Sequence, residues 1–392
     1  MSDTPIIIAG AKRTPIGSFQ GQFKGVHAAT LGSTAMRAAI DQAGISADLV
    51  SEVIMGCVLP AGLGQAPARQ ASLGADIPLA AGCTTINKVC GSGMKAAMLG
   101  HDLIKAGSAE VVVAGGMESM TEAPYLLPKA RAGYRMGHGE ILDHMFFDGL
   151  QNPYDKQMMG HFAESCAEKY TFTREEQDNF SIESINRAIA AMETQFVDEL
   201  APVTVKTRKG EHVVAQDQEP PSCNIEKLTT LRPAFARDGS VTAATSSKIS
   251  DGAAAVVLMT DSTAQQHNVE PLATIVGHAT HAHEPEWFTT APVGAMQKLL
   301  KKVGWDKDSV DLFEINEAFA VVTMAAIREL DLDHTKVNVN GGAVALGHPI
   351  GCTGTRIIVT LINALKQRNL KRGVASLCIG GGEATAIAIE IT

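Results

Sequence analysis

No Cys-x-x-Cys pair occurs in this chain, although it has seven cysteines. An odd count without close pairs excludes a disulfide framework and offers no zinc-ligand spacing, so no metal is expected. Long apolar runs are missing too. None reaches the roughly 18 residues of a membrane helix, and residues 1–5 lack the basic-then-apolar pattern of a secretory leader. Positive charge is in deficit: 33 Lys and Arg stand against 42 Asp and Glu, a net −9. That balance argues against nucleic acid or an anionic membrane as a partner held by overall charge. An anionic ligand would have to be met by a local patch. The chain reads as soluble, intracellular and cytoplasmic.

What is present is apolar and globular, with 45% hydrophobic and 19% charged residues. At 392 residues the chain exceeds the roughly 250–300 at which single cores stop growing, so at least two domains are expected. Apolar runs at residues 5–10, 50–56 and 111–116 read as buried strands, and residues 31–43 and 94–106 as helices. Their alternation predicts an α/β fold with parallel pairing. The second half repeats the first. Gly44, Asp48 and Val50 recur as Gly304, Asp308 and Val310, an offset of 260 positions. The turn Gly91-Ser92-Gly93 corresponds to Cys352-Thr353-Gly354. Two related halves are expected to pack with these turns facing one cleft. The divisions expected are residues 1–120 (completed by 250–270), an insert at 121–249 and a second half at 271–392. Thr173, with Glu175 and Glu176 after it, opens a helix in the insert.

Cys90 sits where a β-leaning run meets Gly-Ser-Gly and then a helix. The helix's free N–H groups and positive end would bias its thiol toward thiolate. The competing reading, a small buried residue, is equally open on this stretch alone. Four places in the second half could join it: Asn316-Glu317-Ala318-Phe319, His348 in a glycine-rich loop, Cys378-Ile379-Gly380-Gly381-Gly382, and Ser246-Ser247-Lys248 with Asp251. In isolation His348 could be a satisfied turn residue, Cys378 a core cysteine and Asn316 a helix cap. All sit at turns after strands, where open α/β sheets hold ligands. A cysteine nucleophile needs a base, and His348 is the candidate. Glycines leave N–H groups free for an oxyanion.

These blocks resemble the thiolases, and the similarity runs from end to end. Asn87-Lys88-Val89-Cys90-Gly91-Ser92-Gly93 looks like the nucleophile motif. Asn316 through Ala320, Gly341 through Gly351 and Cys378 through Gly382 look like the three other catalytic blocks. The resemblance implies two pseudo-duplicated βαβαβ-type halves packed as a layered αβαβα core, with an inserted loop domain. It implies a reversible Claisen reaction of coenzyme A thioesters, two acetyl-CoA giving acetoacetyl-CoA and CoA, without a cofactor. Cys90 would carry the acyl group after His348 accepts its proton, and Cys378 would move the α-proton. Asn316, by way of a water, and His348 would stabilise the enolate. The N–H groups of Cys90 and Gly380 would hold the oxyanion. Ser247 would bind the pantetheine arm. Leu150, Met159, Ala234, Phe235, Ala243, Ala318 and Phe319 would line the channel and acyl pocket. Residues 125–138 look like the tetramerisation loop, implying a dimer of dimers.

The chain departs from the short-chain biosynthetic pattern at Met158-Met159, where those enzymes have His-Met. It also departs at Phe288, where they have methionine, and at Pro220, where they have an arginine near the adenine. Ser246-Ser247-Lys248 leans toward the degradative branch, 3-ketoacyl-CoA thiolases of broader chain length. Bulky Met159, Phe288 and Phe319 still suit a short acyl group. Rival readings are weaker. Gly91 through Ala96 fits the dinucleotide pattern G-x-G-x-x-A, but Glu110 precedes the next strand instead of ending one. A non-catalytic coenzyme A or lipid carrier would not need all four catalytic positions filled. A decarboxylating condensing enzyme would lack Cys378. His281 and His283 have no third ligand near in sequence.

Overall fold

The structure, a computed structural model, describes residues 4–208 and 210–392. Among the described residues ten strands form one sheet; nine run in sequence across it, β1 (Ile6–Arg13), β2 (Glu52–Gly56), β3 (Gly82–Ile86), β4 (Val111–Ser119), β5 (Ser250–Thr260), β6 (Ala273–Ala282), β7 (Leu312–Ile315), β8 (Arg372–Ile379) and β9 (Glu383–Glu390), and the two-residue strand Gly17–Ser18 pairs with β5 off that path. Their order across the sheet is β7-β8-β9-β6-β1-β5-β4-β2-β3. The two halves meet where Ile6–Ile8 pairs antiparallel with residues 273–275.

The inner strands β1, β4, β5, β8 and β9 are buried on both faces, and the alternation sorts their side chains into layers. In β1, Ile7 and Ala9 face an outer core with α1 (Ala28–Ala43) and α2 (Pro67–Gly74). Ile6, Ile8 and Ala11 face a central core. That central core holds α3 (Ser92–Lys105) and, from the second half, Thr353–Gln367. In β8, Ala375 and Leu377 face the same central layer, while Val374 faces a third core under the helix Ala291–Val303. The result is an α-β-α-β-α stack.

The sequence repeat has a physical meaning at the helix ends. Gly44 and Gly304 are both left-handed C-caps, with φ of 67° and 70°, a backbone state glycine adopts without strain. Ser46 and Asp306, again 260 positions apart, both cap the short turns that follow.

Pairing differs from the expectation. Only β2–β3, β2–β4 and β7–β8 are parallel. The middle of the sheet is antiparallel, because β8 and β9 form a hairpin and β5 enters from the far side of the insert.

Residues 120–249 carry α4 (Met159–Tyr170) and α5 (Arg174–Met192) with two short antiparallel strand pairs. Thr173 and Glu176 form the anticipated capping box. Buried Arg13 ties this insert to β1, donating to Glu199 at 2.5 Å and to both oxygens of Asp217 at 2.7 and 2.9 Å.

Candidate active site

The two central helices start against each other, and glycine permits it. A Cβ on Gly93 would lie 2.7 Å from Thr355 Oγ1, and one on Gly354 would lie 2.3 Å from the main-chain nitrogen of Met94. No larger residue fits either place. This contact brings the turn before α3, with Cys90, to the turn before Thr353, with His348.

Cys90 is held by a strained loop. Val89 has a φ of 46°, a conformation costly for a β-branched residue. Asn87 Oδ1 accepts from Val89 N–H at 2.8 Å, and Ser92 Oγ accepts from Lys88 N–H at 2.8 Å while donating to Val89 O at 2.7 Å. Lys88 pairs with Glu383, tying this loop to the Gly380–Gly382 turn. Burial among apolar walls pushes the Cys90 thiol up to about 11, against the pull of the Gly380 and Cys90 N–H groups. The expected bias toward thiolate is therefore corrected. Desolvation outweighs the two backbone donors, and the resting group is a thiol.

His348 is neutral at rest, lowered to about 3 by burial and by the Arg356 charge. Its tautomer follows from its neighbours. Thr353 Oγ1 spends its only proton on Pro349 O at 3.0 Å, so at 2.6 Å it must accept from His348 Nδ1–H. That leaves Nε2 with a free lone pair, and it has no protein partner among the described residues.

Cys378, fully buried at the end of β8, is raised well above the usual thiol range by burial and by the nearby Cys90. Cys90, His348, Cys378 and Gly380 all line one cavity of about 450 Å³. So do Leu150, Met159, Ala234, Phe235, Ala243, Ser247, Phe288, Ala318 and Phe319. Ala234 and Ala243 are exposed at its mouth, while Phe288, Ala318 and Phe319 are buried at its floor. Phe319 meets Phe235 and Phe288 edge-on, with ring centroids 5.9 and 6.4 Å apart. Ser247 N–H donates to Ala318 O at 3.0 Å, joining the insert's last segment to the Asn316 loop.

Asp251 stands off the cavity wall, where it accepts from Thr121 N–H at 2.9 Å and Oγ1–H at 2.6 Å, and of the residues given a catalytic or lining role only Asn316 does so. It lies fully buried after β7, and neither side-chain amide atom has a protein partner among the described residues. It caps no helix; the next, Ala320–Leu330, has Phe319 at its N-cap.

Sequence reasoning missed Glu118. It is fully buried at the end of β4 and accepts from Val58 N–H (2.9 Å), Leu59 N–H (3.2 Å) and Gly351 N–H (3.0 Å). One carboxylate thus joins a first-half loop to the loop carrying His348. A charged residue two positions past a glycine pair in an apolar strand was the available signal. Burial raises Glu118 to about 7. Below that pH it gains a proton that its ring of donors cannot accept, and the bridge weakens. Glu118→Gln, whose amide turns donors toward donors, is expected to lower kcat/KM by up to about 100-fold through misplacement of His348. It should also remove an acid limb near pH 7 from the wild-type profile; an unchanged limb in the variant would rule this role out.

Residues 6–262 match the family model of the thiolase N-terminal domain, and residues 269–391 that of the thiolase C-terminal domain. The chain belongs to the thiolase family. The acetyl-CoA acetyltransferase of Pseudomonas aeruginosa is 47% identical over 387 residues, 98% of each chain. That of Schizosaccharomyces pombe is 47% identical over 393 residues, the full length of both. Among solved structures, the Bacillus anthracis acetyl-CoA acetyltransferase superposes with a TM-score of 0.97 at 43% identity, over 99% of each chain. An Ascaris suum thiolase in complex with coenzyme A gives 0.93 at 42% identity, over 99% of this chain and 100% of that one.

Proposed function

We infer that the protein is an acetyl-CoA acetyltransferase, interconverting two acetyl-CoA with acetoacetyl-CoA and CoA by ping-pong acyl-cysteine chemistry. The observation that carries this is the convergence of two cysteines, one from each half, and a neutral imidazole on a single cavity. Its relatives' names and the coenzyme A complex of the Ascaris enzyme support the substrate. In the first half-reaction Cys90 Sγ attacks the thioester carbonyl while His348 Nε2 takes its proton. The Cys90 and Gly380 N–H groups stabilise the oxyanion. Collapse expels CoA, which regains the proton from His348, and leaves acetyl-Cys90.

In the second, Cys378, acting as its thiolate, takes the α-proton of another acetyl-CoA. His348 and, by way of a water, Asn316 stabilise the enolate oxygen, and the carbanion attacks acetyl-Cys90; the carbon–sulfur bond breaks as the carbon–carbon bond forms, and the proton held by Cys378 passes to the departing Cys90 sulfur. In reverse, Cys378 returns that proton to carbon, and its resting thiol is already the acid form this step uses. Initial rates of synthesis from acetyl-CoA with acetoacetyl-CoA thiolysis in reverse test the reading. Parallel double-reciprocal lines in thiolysis are expected, and intersecting lines would reject the ping-pong scheme.

Phe288, Phe319 and Phe162 close the acyl end. A longer chain would have to displace packed rings. Acetoacetyl-CoA is expected to exceed a 3-keto-octanoyl substrate by at least about tenfold in kcat/KM. Phe288→Ala should narrow the gap. Equal values in the wild type would overturn the short-chain preference in favour of the degradative branch.

The protein is proposed to act in the cytoplasm as a tetramer. The hairpin of paired strands Tyr125–Leu126 and Leu142–Asp143 with its loop leaves Tyr125 (67%), Met136 (97%) and Ile141 (67%) exposed, a patch suited to burial between subunits. Light scattering should give a tetramer for the wild type and a dimer for Met136→Asp with Tyr125→Asp. An unchanged tetramer in that variant would exclude this loop as the contact.

A further inference from the structure

A second cluster of ligating side chains lies outside the cavity. The C-terminal half of α3 carries His101 and Asp102, about 15 Å along the helix axis from its start beside Cys90. Strand β6, from the other half, adds His278. Asp102 Oδ1 is 3.0 Å from His101 Nδ1 and 2.9 Å from His278 Nε2. The two rings stand edge to face with centroids 5.1 Å apart. One donor atom from each residue lies within 4.8 Å of the others. A zinc ion with ligands at about 2.0–2.2 Å brings its donor atoms to about 3.5 Å of one another, so modest closure of this cluster suffices. The imidazoles are mostly buried and Asp102 is half exposed, so the protein side is fixed and an outer position stays open for water.

We propose that His101, Asp102 and His278 bind a divalent transition metal of the zinc, cobalt and nickel type, joining the helix of one half to the strand of the other. Two imidazoles and one carboxylate suit these borderline ions and not magnesium or calcium. In the metal-free state both rings donate to one carboxylate oxygen. On binding, each ring keeps its single proton on the other nitrogen, His101 Nε2 and His278 Nδ1, and remains neutral. Lys302 is engaged with the main-chain oxygen of His278 at 3.0 Å. The proposed ligands come from positions 176 apart, so no spacing motif could announce them. Because such a site requires both halves in place, the ion stabilises the folded chain and takes no part in the acyl chemistry.

Titration of the EDTA-treated full chain with Co²⁺ alone tests this. The expected result is a visible cobalt spectrum of nitrogen and oxygen ligation, one ion per chain, with a rise in Tm. Asp102→Asn combined with His278→Gln should weaken binding at least about tenfold. The same variant should keep metal-free thiolysis activity, which shows that it folds. The proposal is overturned if the wild type binds no Co²⁺ at millimolar concentration, if the spectrum carries thiolate charge transfer alone, or if the variant binds as tightly.

Discussion

Cys378→Ala is expected to lower the rates of condensation and thiolysis by at least about 1,000-fold while leaving acetylation of Cys90 by acetyl-CoA in place. A positioned acid or base contributes about 10²–10⁴, and Cys378 is the group assigned to the carbon-bound proton. The first half-reaction does not use that proton. Exchange of labelled CoA into acetyl-CoA, which reports the first half-reaction alone, should therefore survive in this variant. The substitution is small and the site packs against Phe288, Phe319 and Val321, so the fold should tolerate it. Equal loss of both activities would show that Cys378 acts only through packing.

Cys90→Ala should be more severe, with at least about 10⁴-fold loss of both condensation and CoA exchange. The resting state explains the size of the effect. A thiol raised to about 11 faces an imidazole lowered to about 3, so both are neutral until substrate arrives. Proton transfer then has to accompany attack, and neither group is useful without the other. Cys90→Ala with His348→Ala should accordingly be hardly worse than Cys90→Ala alone. Additive losses would mean that His348 does not serve Cys90.

Much of this site was legible in the chain because its parts are short and contiguous. The glycines at 91, 93 and 354 mark the close approach of two helices, and 44 and 304 mark equivalent helix ends. Local signals of that kind depend on neighbours a few residues away. What escaped depends on distant ones. The alternation of strands and helices suggested parallel pairing, yet β5 reaches its place from beyond a long insert and reverses the middle of the sheet. Cys90 looked activated by its helix, but the walls that desolvate it come from several separate segments. Asn316 was found by its motif, while its withdrawal from the cavity wall follows from packing between β7 and β8. Glu118 was passed over because its donors, near residues 58 and 351, belong to different halves.

The chemistry of both half-reactions passes through acyl transfer to one thiol among seven. Mass spectrometry of the wild-type chain after mixing with acetyl-CoA tests it most directly. The predicted result is one acetyl group per chain, mapped to Cys90 and discharged on adding CoA. An adduct on Cys378 or another cysteine, or none under turnover conditions, would contradict it.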